Sequence, residues 1–150
     1  MLVLVTGASG FLGQCVVTAL LEAGHEVRAA LRFTTVAQEC SWFGRDGVDV
    51  FRLDLGASEV PLEVFDGVDI LVHLAASVRG GEDEQFNCIA VGTERLMDAM
   101  RRSRTQRLIL ASSFSVYGWQ KARGTLTEQT PLETDLYSRG GYAIAKVWQE

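Results

Sequence analysis

A tyrosine and a lysine four residues apart, Tyr142 and Lys146, have the residue types and spacing that proton transfer needs. Residues at this spacing share one face of a helix. A phenol is a poor acid at neutral pH, with a pKa of about 10, and an ammonium group held nearby favours its phenolate form. The pair could then exchange a proton with a carbonyl or an alcohol. Taken alone, the spacing is common, and a packed tyrosine beside a solvated lysine is the simpler interpretation.

Two adjacent hydroxyl groups, on Ser112 and Ser113, follow the apolar run 108–111. That run predicts a strand ending near Ser112, and ligands of open parallel sheets collect at the carboxyl ends of their strands. A serine there could hydrogen-bond a substrate oxygen and share developing charge with Tyr142. The alternative is that the serine forms a turn or caps a helix.

Three glycines, Gly7, Gly10 and Gly13, lie between an apolar run at 2–5 and an amphipathic run that starts at Phe11. Strand, glycine turn and helix in this order are typical of a dinucleotide site. We expect the first glycine to allow a tight turn, the second to admit the pyrophosphate, and the third to let the helix lie close to the sheet. The helix N terminus would then face the phosphates.

The end of the predicted second strand bears on which dinucleotide binds. An NAD site usually has an acidic residue there to bond the ribose 2′-hydroxyl. This chain has Arg32 and no acid between residues 29 and 32. An arginine could pair with the 2′-phosphate of NADP, which favours NADP over NAD; Arg28, inside the strand, is a weaker candidate. The alternative is that Arg32 is a solvated loop residue.

Composition excludes several classes of protein. The chain of 150 residues carries a net charge of -5 and is 47% apolar, which fits one globular domain and argues against a general binder of nucleic acid or of anionic membranes. Its three cysteines, Cys15, Cys40 and Cys88, are widely spaced, which indicates reduced thiols in a cytoplasmic protein and neither a disulfide framework nor a metal site. No segment is apolar for long enough to predict a membrane span.

Alternating strands and helices must position these residues. They predict an α/β, Rossmann-type doubly wound parallel sheet of five strands in the order 3-2-1-4-5, within a single dinucleotide-binding domain over residues 1–150. Trp42 and Phe43 are expected to pack in a segment, 33–47, with no clear periodicity. The predicted elements after the glycine turn are a helix at 11–23, strands at 25–31 and 48–53, a short helix at 58–65, a strand at 69–75, a long helix at 82–104, a strand at 107–112 and a helix from about 138.

The last residues suggest that the fold continues further. The chain stops at Glu150 inside a predicted helix, and the fifth strand would form an apolar edge, which proteins usually cover or pair. We therefore expect a further strand and a substrate-binding region beyond residue 150.

The motifs together resemble the extended short-chain dehydrogenase/reductase family, which includes nucleotide-sugar epimerases, dehydratases and dihydroflavonol-reductase-like enzymes. The resemblance covers essentially the whole chain. It rests on Thr6-Gly7-x-x-Gly10-x-x-Gly13, Asp54-Leu55, His73-Leu74-Ala75-Ala76, Gly92-Thr93, Ser112-Ser113-Phe114-Ser115-Val116-Tyr117-Gly118 and Tyr142-x-x-x-Lys146, in that order.

This resemblance implies roles for individual residues. Ser113 is implied as the catalytic serine, Tyr142 as the acid and base, and Lys146 as the residue that binds the nicotinamide ribose and tunes the tyrosine. Asp54 would hydrogen-bond the adenine beside the Leu55 backbone. The residues implied to bind the cofactor are Gly7, Ser9, Gly10, Phe11, Leu12, Gly13, Arg32, Asp54, Leu55, Leu74, Ala75, Ala76, Ser112, Tyr142 and Lys146.

Two positions depart from the family's pattern. Many members have an asparagine three residues before the Gly-Thr pair of the long helix, where this chain has Ile89; Asn87 is two residues away. A proton relay or helix kink that uses such an asparagine is therefore in doubt. The serine that usually precedes the motif lysine is Ala145 here, a tolerable change.

The resemblance implies an NAD(P)-dependent oxidoreductase. It would transfer hydride between the nicotinamide and a carbon atom, bearing a hydroxyl or carbonyl, of a small-molecule substrate. A nucleotide-sugar epimerase or dehydratase is the alternative, since those reactions start from the same step, and a non-catalytic NAD(P) sensor is a third. Pairing of the long helix with the Tyr-Lys helix across a dimer, as in relatives, would make a homodimer. Residues 1–150 do not identify the substrate or separate reduction from epimerisation.

Overall fold

A computed structural model describes residues 1–78, 80–118 and 122–150. The chain divides into two compact units. The first, here called the sheet unit, comprises Met1–Ala75 and Arg95–Ala111; the second, the helical unit, comprises Ala76–Glu94 and Ser112–Glu150. Within the described ranges, no helix has the length and apolar character needed to cross a bilayer.

The sheet unit contains a five-stranded parallel sheet in the order β3-β2-β1-β4-β5, as the sequence predicts. Every strand is four to six residues long. The first strand extends one residue past the apolar run 2–5, and the other four are shorter at one or both ends than predicted. The strands are β1 (Leu2–Thr6), β2 (Glu26–Leu31), β3 (Val48–Arg52), β4 (Ile70–His73) and β5 (Arg107–Leu110).

Both faces of β1 are buried. Alternate residues of a strand point to opposite faces, so neighbouring residues of β1 belong to different apolar clusters. Val3 and Val5 belong to one apolar cluster with Val17 and Trp42. Leu4, between them, belongs to a second cluster that includes Leu71 and Leu96. Burial on both sides is typical of parallel sheets, and it confirms the doubly wound α/β fold that the sequence predicts.

Helix α1 (Phe11–Glu22) connects β1 to β2. It ends as predicted, since Gly24 follows with a φ of +77°, a conformation that closes helices and suits glycine. At its other end the helix backbone lies very close to the preceding turn. A Cβ atom added to Gly13 would stand 2.0 Å from the Gly7 carbonyl oxygen and 2.8 Å from the Ala8 Cα.

The predicted long helix is interrupted and shorter than expected. It consists of α2 (Glu82–Phe86), a π-helical turn (Asn87–Val91) and α3 (Gly92–Arg101). A π-helical turn accommodates one extra residue within a helix, and such turns are frequent at functional sites. Hydropathy periodicity does not reveal a single wide turn, so the sequence predicted an unbroken helix.

Several other local predictions were inaccurate. The helix predicted over residues 58–65 is a 3₁₀ turn at Leu62–Phe65, and the last helix, α4 (Gly141–Gln149), starts three residues later than expected. Further 3₁₀ turns lie at Ala37–Glu39, Phe114–Val116 and Leu136–Ser138. Trp42 is fully buried, but Phe43, also expected to pack, is 45% exposed.

In the helical unit, α4 packs against α2, the π-helical turn and the 3₁₀ turn at Phe114–Val116. Glu82 accepts a hydrogen bond from the Gly141 N–H at 3.2 Å. The rings of Phe86 and Trp148 meet edge to face, with centroids 6.2 Å apart. A Cβ atom on Gly141 would stand 2.7 Å from the Cβ atom of Glu82, so glycine permits this close packing.

Replacing Gly13 by alanine should strongly destabilise the fold. The new Cβ atom would collide with the Gly7 carbonyl, so α1 would have to move away from the sheet, and we expect the free energy of unfolding to fall by about 2–4 kcal/mol. Urea denaturation followed by circular dichroism measures this loss.

Gly10→Ala is the matched control, because its Cβ atom would stand 3.2 Å from the same Gly7 oxygen and its φ of −72° suits any residue. We expect a loss of about 1 kcal/mol or less for this variant. Equal destabilisation by the two variants would contradict the account of why residue 13 is glycine.

Candidate functional site

The glycine turn at residues 7–13 follows β1, the central strand of the sheet. Gly7 has a φ of +70°, and a Cβ atom there would stand 2.8 Å from the Ala75 backbone nitrogen. Position 7 therefore requires glycine for two reasons: its φ is positive, and the segment after β4 leaves no space for a Cβ atom. The sequence predicted the tight turn, and the contact with Ala75 is an additional constraint.

Two side chains, those of the neighbouring Gln14 and the distant Trp42, hold the turn in place. The Trp42 indole nitrogen donates to the Ala8 carbonyl at 3.0 Å. The Gln14 side chain donates to the Ser9 carbonyl at 3.2 Å and accepts from the Ser41 N–H at 2.8 Å. The turn is thereby fixed from two sides, which reduces the cost of ordering it when a ligand binds.

Thr6 links the turn's base to β4. Its Oγ1 lies 2.5 Å from the His73 Nδ1 and accepts from the Ala75 N–H at 3.3 Å. Since the Ala75 amide supplies one hydrogen, the threonine hydroxyl can donate its own to the imidazole, and both side chains are buried. These residues belong to the motifs in the sequence, but the motifs do not predict this bond.

The start of α1 has the features that a pyrophosphate site needs. No side chain caps Gly10 within the described residues, and the first turn contains no acidic residue, so the first N–H groups of the helix keep their donor capacity. Gly10, Phe11 and Leu12 are exposed, and Phe11 is 92% exposed. A Cβ atom at position 10 would stand 3.2 Å from the Gly7 carbonyl oxygen, a contact that a small shift relieves. The missing side chain also leaves space beside this exposed turn, as a bound dinucleotide would require.

Other predicted cofactor residues of the sheet unit follow neighbouring strands at the same edge. Thr6 pairs with Ala30 and His73 in register, which places the ends of β1, β2 and β4 side by side. Leu74 and Ala75, directly after β4, are half-buried, while Leu55, after β3, is buried. Ala76, the first residue of the helical unit, is half-buried.

Asp54 is exposed, and its Oδ1 accepts from the Gly56 N–H at 2.9 Å. This local bond orients the carboxylate at the start of the loop. One of its oxygen atoms is therefore used inside the protein. Its predicted role toward adenine stays a prediction.

The two arginines considered for a 2′-phosphate have different environments. Arg32 directly follows β2 and is exposed. Arg28 pairs with Asp49 at 3.0 Å and also donates to the carbonyls of Glu63, Val64 and Asp66. These contacts occupy Arg28, so Arg32 is the better candidate of the two.

Ser113 follows the end of β5 by three residues in the sequence, because the strand ends at Leu110 and not at residue 112 as predicted. Its side chain caps the 3₁₀ turn at Phe114–Val116, accepting from the Ser115 N–H at 3.2 Å and the Ser115 hydroxyl at 2.8 Å. The capping role weighed in the sequence analysis is therefore present. Because both bonds use acceptor sites, the Ser113 O–H remains available to donate. Ser112 is exposed and its hydroxyl bonds the Glu150 carboxylate.

Tyr142 and Lys146 both lie on α4, one turn apart, as predicted. Tyr142 is half-buried, whereas Lys146 is only 3% exposed. Burial lowers the pKa of the Lys146 ammonium, and the negative charge of Glu150 partly opposes this shift.

The Lys146 ammonium belongs to a hydrogen-bond chain. Its Nζ donates to Gln149 Oε1 at 2.7 Å, and Gln149 Nε2 donates to Thr93 Oγ1 at 2.8 Å. Thr93 in turn donates to the Ile89 carbonyl, within the π-helical turn. The helix irregularity that the sequence analysis doubted is thus present without an asparagine at position 89.

A buried ion pair organises the segment before α4. Arg139 and Glu133 lie 3.2 Å apart, with side chains 7% and 3% exposed. Arg139 also donates to the Ser115 carbonyl at 3.1 Å, and Glu133 accepts from two backbone N–H groups at 3.0 Å. Sequence reasoning missed this pair, although a charged residue three positions before Tyr142 could have drawn attention to it.

A cavity of about 500 Å³ lies on the helical unit between the start of α2 and the start of α4. Its lining includes Glu82, Gln85, Ser138 and Tyr142. Polar groups beside the predicted acid and base are what a hydroxylated substrate would contact. Within the described ranges, no three histidine, cysteine or acidic side chains are grouped so that they could hold a metal ion.

Comparisons with known proteins agree with this architecture. The chain is 38% identical over 123 residues to sterol demethylase protein B of Methylococcus capsulatus, covering 79% of this chain and 36% of that protein. It is 33% identical over 146 residues to a 3 beta-hydroxysteroid dehydrogenase/Delta 5-->4-isomerase of Mycobacterium tuberculosis, covering 91% of this chain and 38% of that protein. The chain thus spans well under half the length of these two relatives.

A solved structure, MoeE5 in complex with UDP-glucose and NAD, has a TM-score of 0.78 and 29% identity to this chain, covering 98% of it and 46% of the MoeE5 chain. The model of the NAD dependent epimerase/dehydratase family matches residues 3–150. The glycine turn, the parallel sheet and this match lead to one conclusion: the chain belongs to the NAD dependent epimerase/dehydratase family.

Proposed function

We propose that this chain is the dinucleotide-binding part of an NAD(P)-dependent oxidoreductase that acts on a hydroxyl or carbonyl group of a small molecule. The nicotinamide, when bound, supplies or accepts the hydride. The observation that carries the proposal is the nearly complete burial of the Lys146 residue one helical turn after Tyr142. Burying an ammonium is costly and is typical of functional sites.

The side chains of the helical unit have complementary parts in the proposed reaction. The Tyr142 phenol would give its proton to a carbonyl oxygen during reduction and take one from an alcohol during oxidation. The Ser113 hydroxyl, whose acceptor sites are used by Ser115, would donate a hydrogen bond to the same oxygen. Lys146, fixed by Gln149, would hold positive charge beside the phenol.

We further propose NADP as the dinucleotide. The glycine turn and the exposed N terminus of α1 would bind the pyrophosphate, with Ser9, Phe11 and Leu12 contributing backbone N–H groups. Arg32 stands where an NAD site usually has an acid, which supports binding of the 2′-phosphate. The solved relative MoeE5 contains NAD, so NAD is the alternative.

Two interpretations of the sequence also remain proposals. A homodimer rests on the resemblance to relatives that pair their long helix with their Tyr-Lys helix. A cytoplasmic location rests on the three widely spaced cysteines of the sequence, a pattern that indicates reduced thiols.

Replacing Tyr142 by phenylalanine should abolish most of the turnover without loss of dinucleotide binding. The test measures nicotinamide absorbance while the protein acts on a panel of aldehydes and ketones with NADPH. Because the phenol supplies the proton, we expect kcat to fall by about 10²–10⁴-fold.

Tyr117→Phe is the control, since Tyr117 is another half-buried tyrosine of the same unit, and it should keep its activity. Interconversion of nucleotide sugars without net consumption of the dinucleotide would favour an epimerase, consistent with the UDP-glucose in MoeE5. Dinucleotide binding with no turnover of either class would instead support a non-catalytic sensor and contradict the proposal.

Arg32→Glu should reverse the dinucleotide preference. Calorimetric titration of the wild type should give a lower Kd for NADPH than for NADH, and the substitution should weaken NADPH binding by at least about tenfold, because a charge-assisted bond becomes a repulsion. Arg107→Glu is the control: it makes the same change in net charge at the amino end of β5. Tighter binding of NADH, indifferent to Arg32, would show that the NADP proposal is wrong.

Lys146→Met should change how stability depends on pH. The Lys146 pKa is lower in the folded than in the unfolded state, so below the unfolded value of about 10.4 the unfolded chain binds more protons and the lysine is a burden that diminishes as pH rises. The free energy of unfolding of the wild type, relative to the variant, should therefore increase between neutral pH and about pH 10.

Urea denaturation at several pH values measures this difference. Arg101→Met is the control, because Arg101 is exposed and pairs with Asp98 on the surface. A pH-independent difference between Lys146→Met and the wild type would rule out a lowered lysine pKa.

A further inference from the structure

The side chain of Arg52 holds together the turn that follows β2, and it is called the brace below. The Thr35 N–H donates to the Arg32 carbonyl at 3.1 Å, which forms a four-residue turn. Arg52, the last residue of β3, donates from Nη1 to the carbonyls of Arg32 at 2.8 Å and Thr35 at 2.7 Å. One guanidinium nitrogen therefore binds the carbonyl groups at both ends of the turn.

The brace carries a positive charge that no carboxylate of the described residues neutralises through an ion pair. Its Nε and Nη2 make no hydrogen bond with the described part of the chain. The charge still acts on its surroundings: burial and the carboxylate of Glu39 raise the pKa of the Cys40 thiol, while Arg52 opposes that shift. Two cations, Arg32 and Arg52, thus stand at this edge of the sheet.

The position of the turn suggests why a cation braces it. Leu31 pairs with Arg52 in the β2–β3 ladder, and β2 pairs with β1, which leads into the glycine turn. The Arg32–Thr35 turn therefore follows the strand next to the pyrophosphate site, where the adenosine ribose of a dinucleotide would lie. A ribose 2′-phosphate there would add a dianion to an edge that already has two unmatched guanidinium groups.

We infer that Arg52 is a positioning residue for dinucleotide specificity: by holding the Arg32–Thr35 turn, it presents the Arg32 guanidinium to the 2′-phosphate of NADP. Its own charge adds to the attraction for that phosphate. The inference rests on the proposed preference for NADP, and it assigns a role to β3 that the glycine motif and the end of β2 do not contain.

Arg28 offers a matched comparison within the same sheet. It also braces backbone carbonyls, those of Glu63, Val64 and Asp66, but Asp49 neutralises its charge. A residue that only stabilises the fold should behave like Arg28. A residue that positions Arg32 should change the ratio of the two dinucleotide affinities.

The experiment titrates the wild type, Arg52→Met, Arg52→Lys and Arg28→Met with NADPH and NADH by calorimetry. We expect Arg52→Met to weaken NADPH binding by about tenfold and NADH binding by less than about twofold. Arg52→Lys keeps the charge but not the planar fork, so its NADPH affinity should fall between those of Arg52→Met and the wild type. Arg28→Met should lower the midpoint of thermal unfolding and leave the affinity ratio unchanged.

The double variant Arg32→Glu/Arg52→Met gives a second readout, since two residues that act on one phosphate are not additive. Two results would overturn the role of Arg52 while the NADP proposal stands. In the first, the wild type prefers NADPH and Arg52→Met keeps that preference; in the second, Arg52→Met weakens the binding of NADPH and of NADH equally. Wild-type preference for NADH would overturn both. If Arg52→Met does not fold, an unchanged affinity ratio in Arg52→Lys, together with additivity of Arg32→Glu and Arg52→Lys, would equally contradict the inference.

Discussion

The backbone of α1 lies very close to the turn that precedes it, and the glycine turn depends on this close approach. Position 13 has no space for a single methyl group, and Gly7 combines a positive φ with contact to the segment after β4. These two glycines allow the helix to start directly above the end of β1. Because of that placement, the first N–H groups of α1 point outward at the edge where the five parallel strands end. Trp42 and Gln14 then hydrogen-bond the carbonyl groups of Ala8 and Ser9. These bonds hold the turn in one conformation although it contains three flexible glycines.

The helical unit depends on a different device, which is the burial of charge with its hydrogen bonds satisfied. Lys146 is held by Gln149, and through it by Thr93 and a carbonyl of the π-helical turn. Arg139 and Glu133 are buried together and also bond backbone groups around Ser115 and Thr134. Buried ion pairs contribute little net stability, but breaking one is costly. Their effect here is to fix the segments around Ser113 and Tyr142, which is what a site for proton transfer needs.

Local patterns predicted most of this fold, and long-range contacts account for what they missed. Strand order, the closing role of Gly24 and the α1 boundaries follow from apolar periodicity and from glycine's freedom at positive φ. The π-helical turn and the short 3₁₀ turns change the period over too few residues to be detected. Of the candidate site, the residue types were read from motifs. The motifs did not predict that Trp42 and Arg52 hold turns in place. Each of these side chains binds a carbonyl group far away in the sequence, and a backbone carbonyl has no sequence signature.

The charges of this chain, more than its family, support the proposed preference for NADP. The family's description names NAD, and an NAD site gains from a carboxylate that binds two ribose hydroxyls after β2. That position holds Arg32 here, on a turn braced by a second arginine. The nearby Asp54 uses one carboxylate oxygen on the Gly56 amide, and Arg28 is neutralised by Asp49. Arg32 and Arg52 make no ion pair within the described residues. This edge of the sheet therefore carries local positive charge, although the net charge of the chain is -5. A neutral ribose makes no use of that positive charge, whereas the 2′-phosphate of the proposed NADP would bind to it.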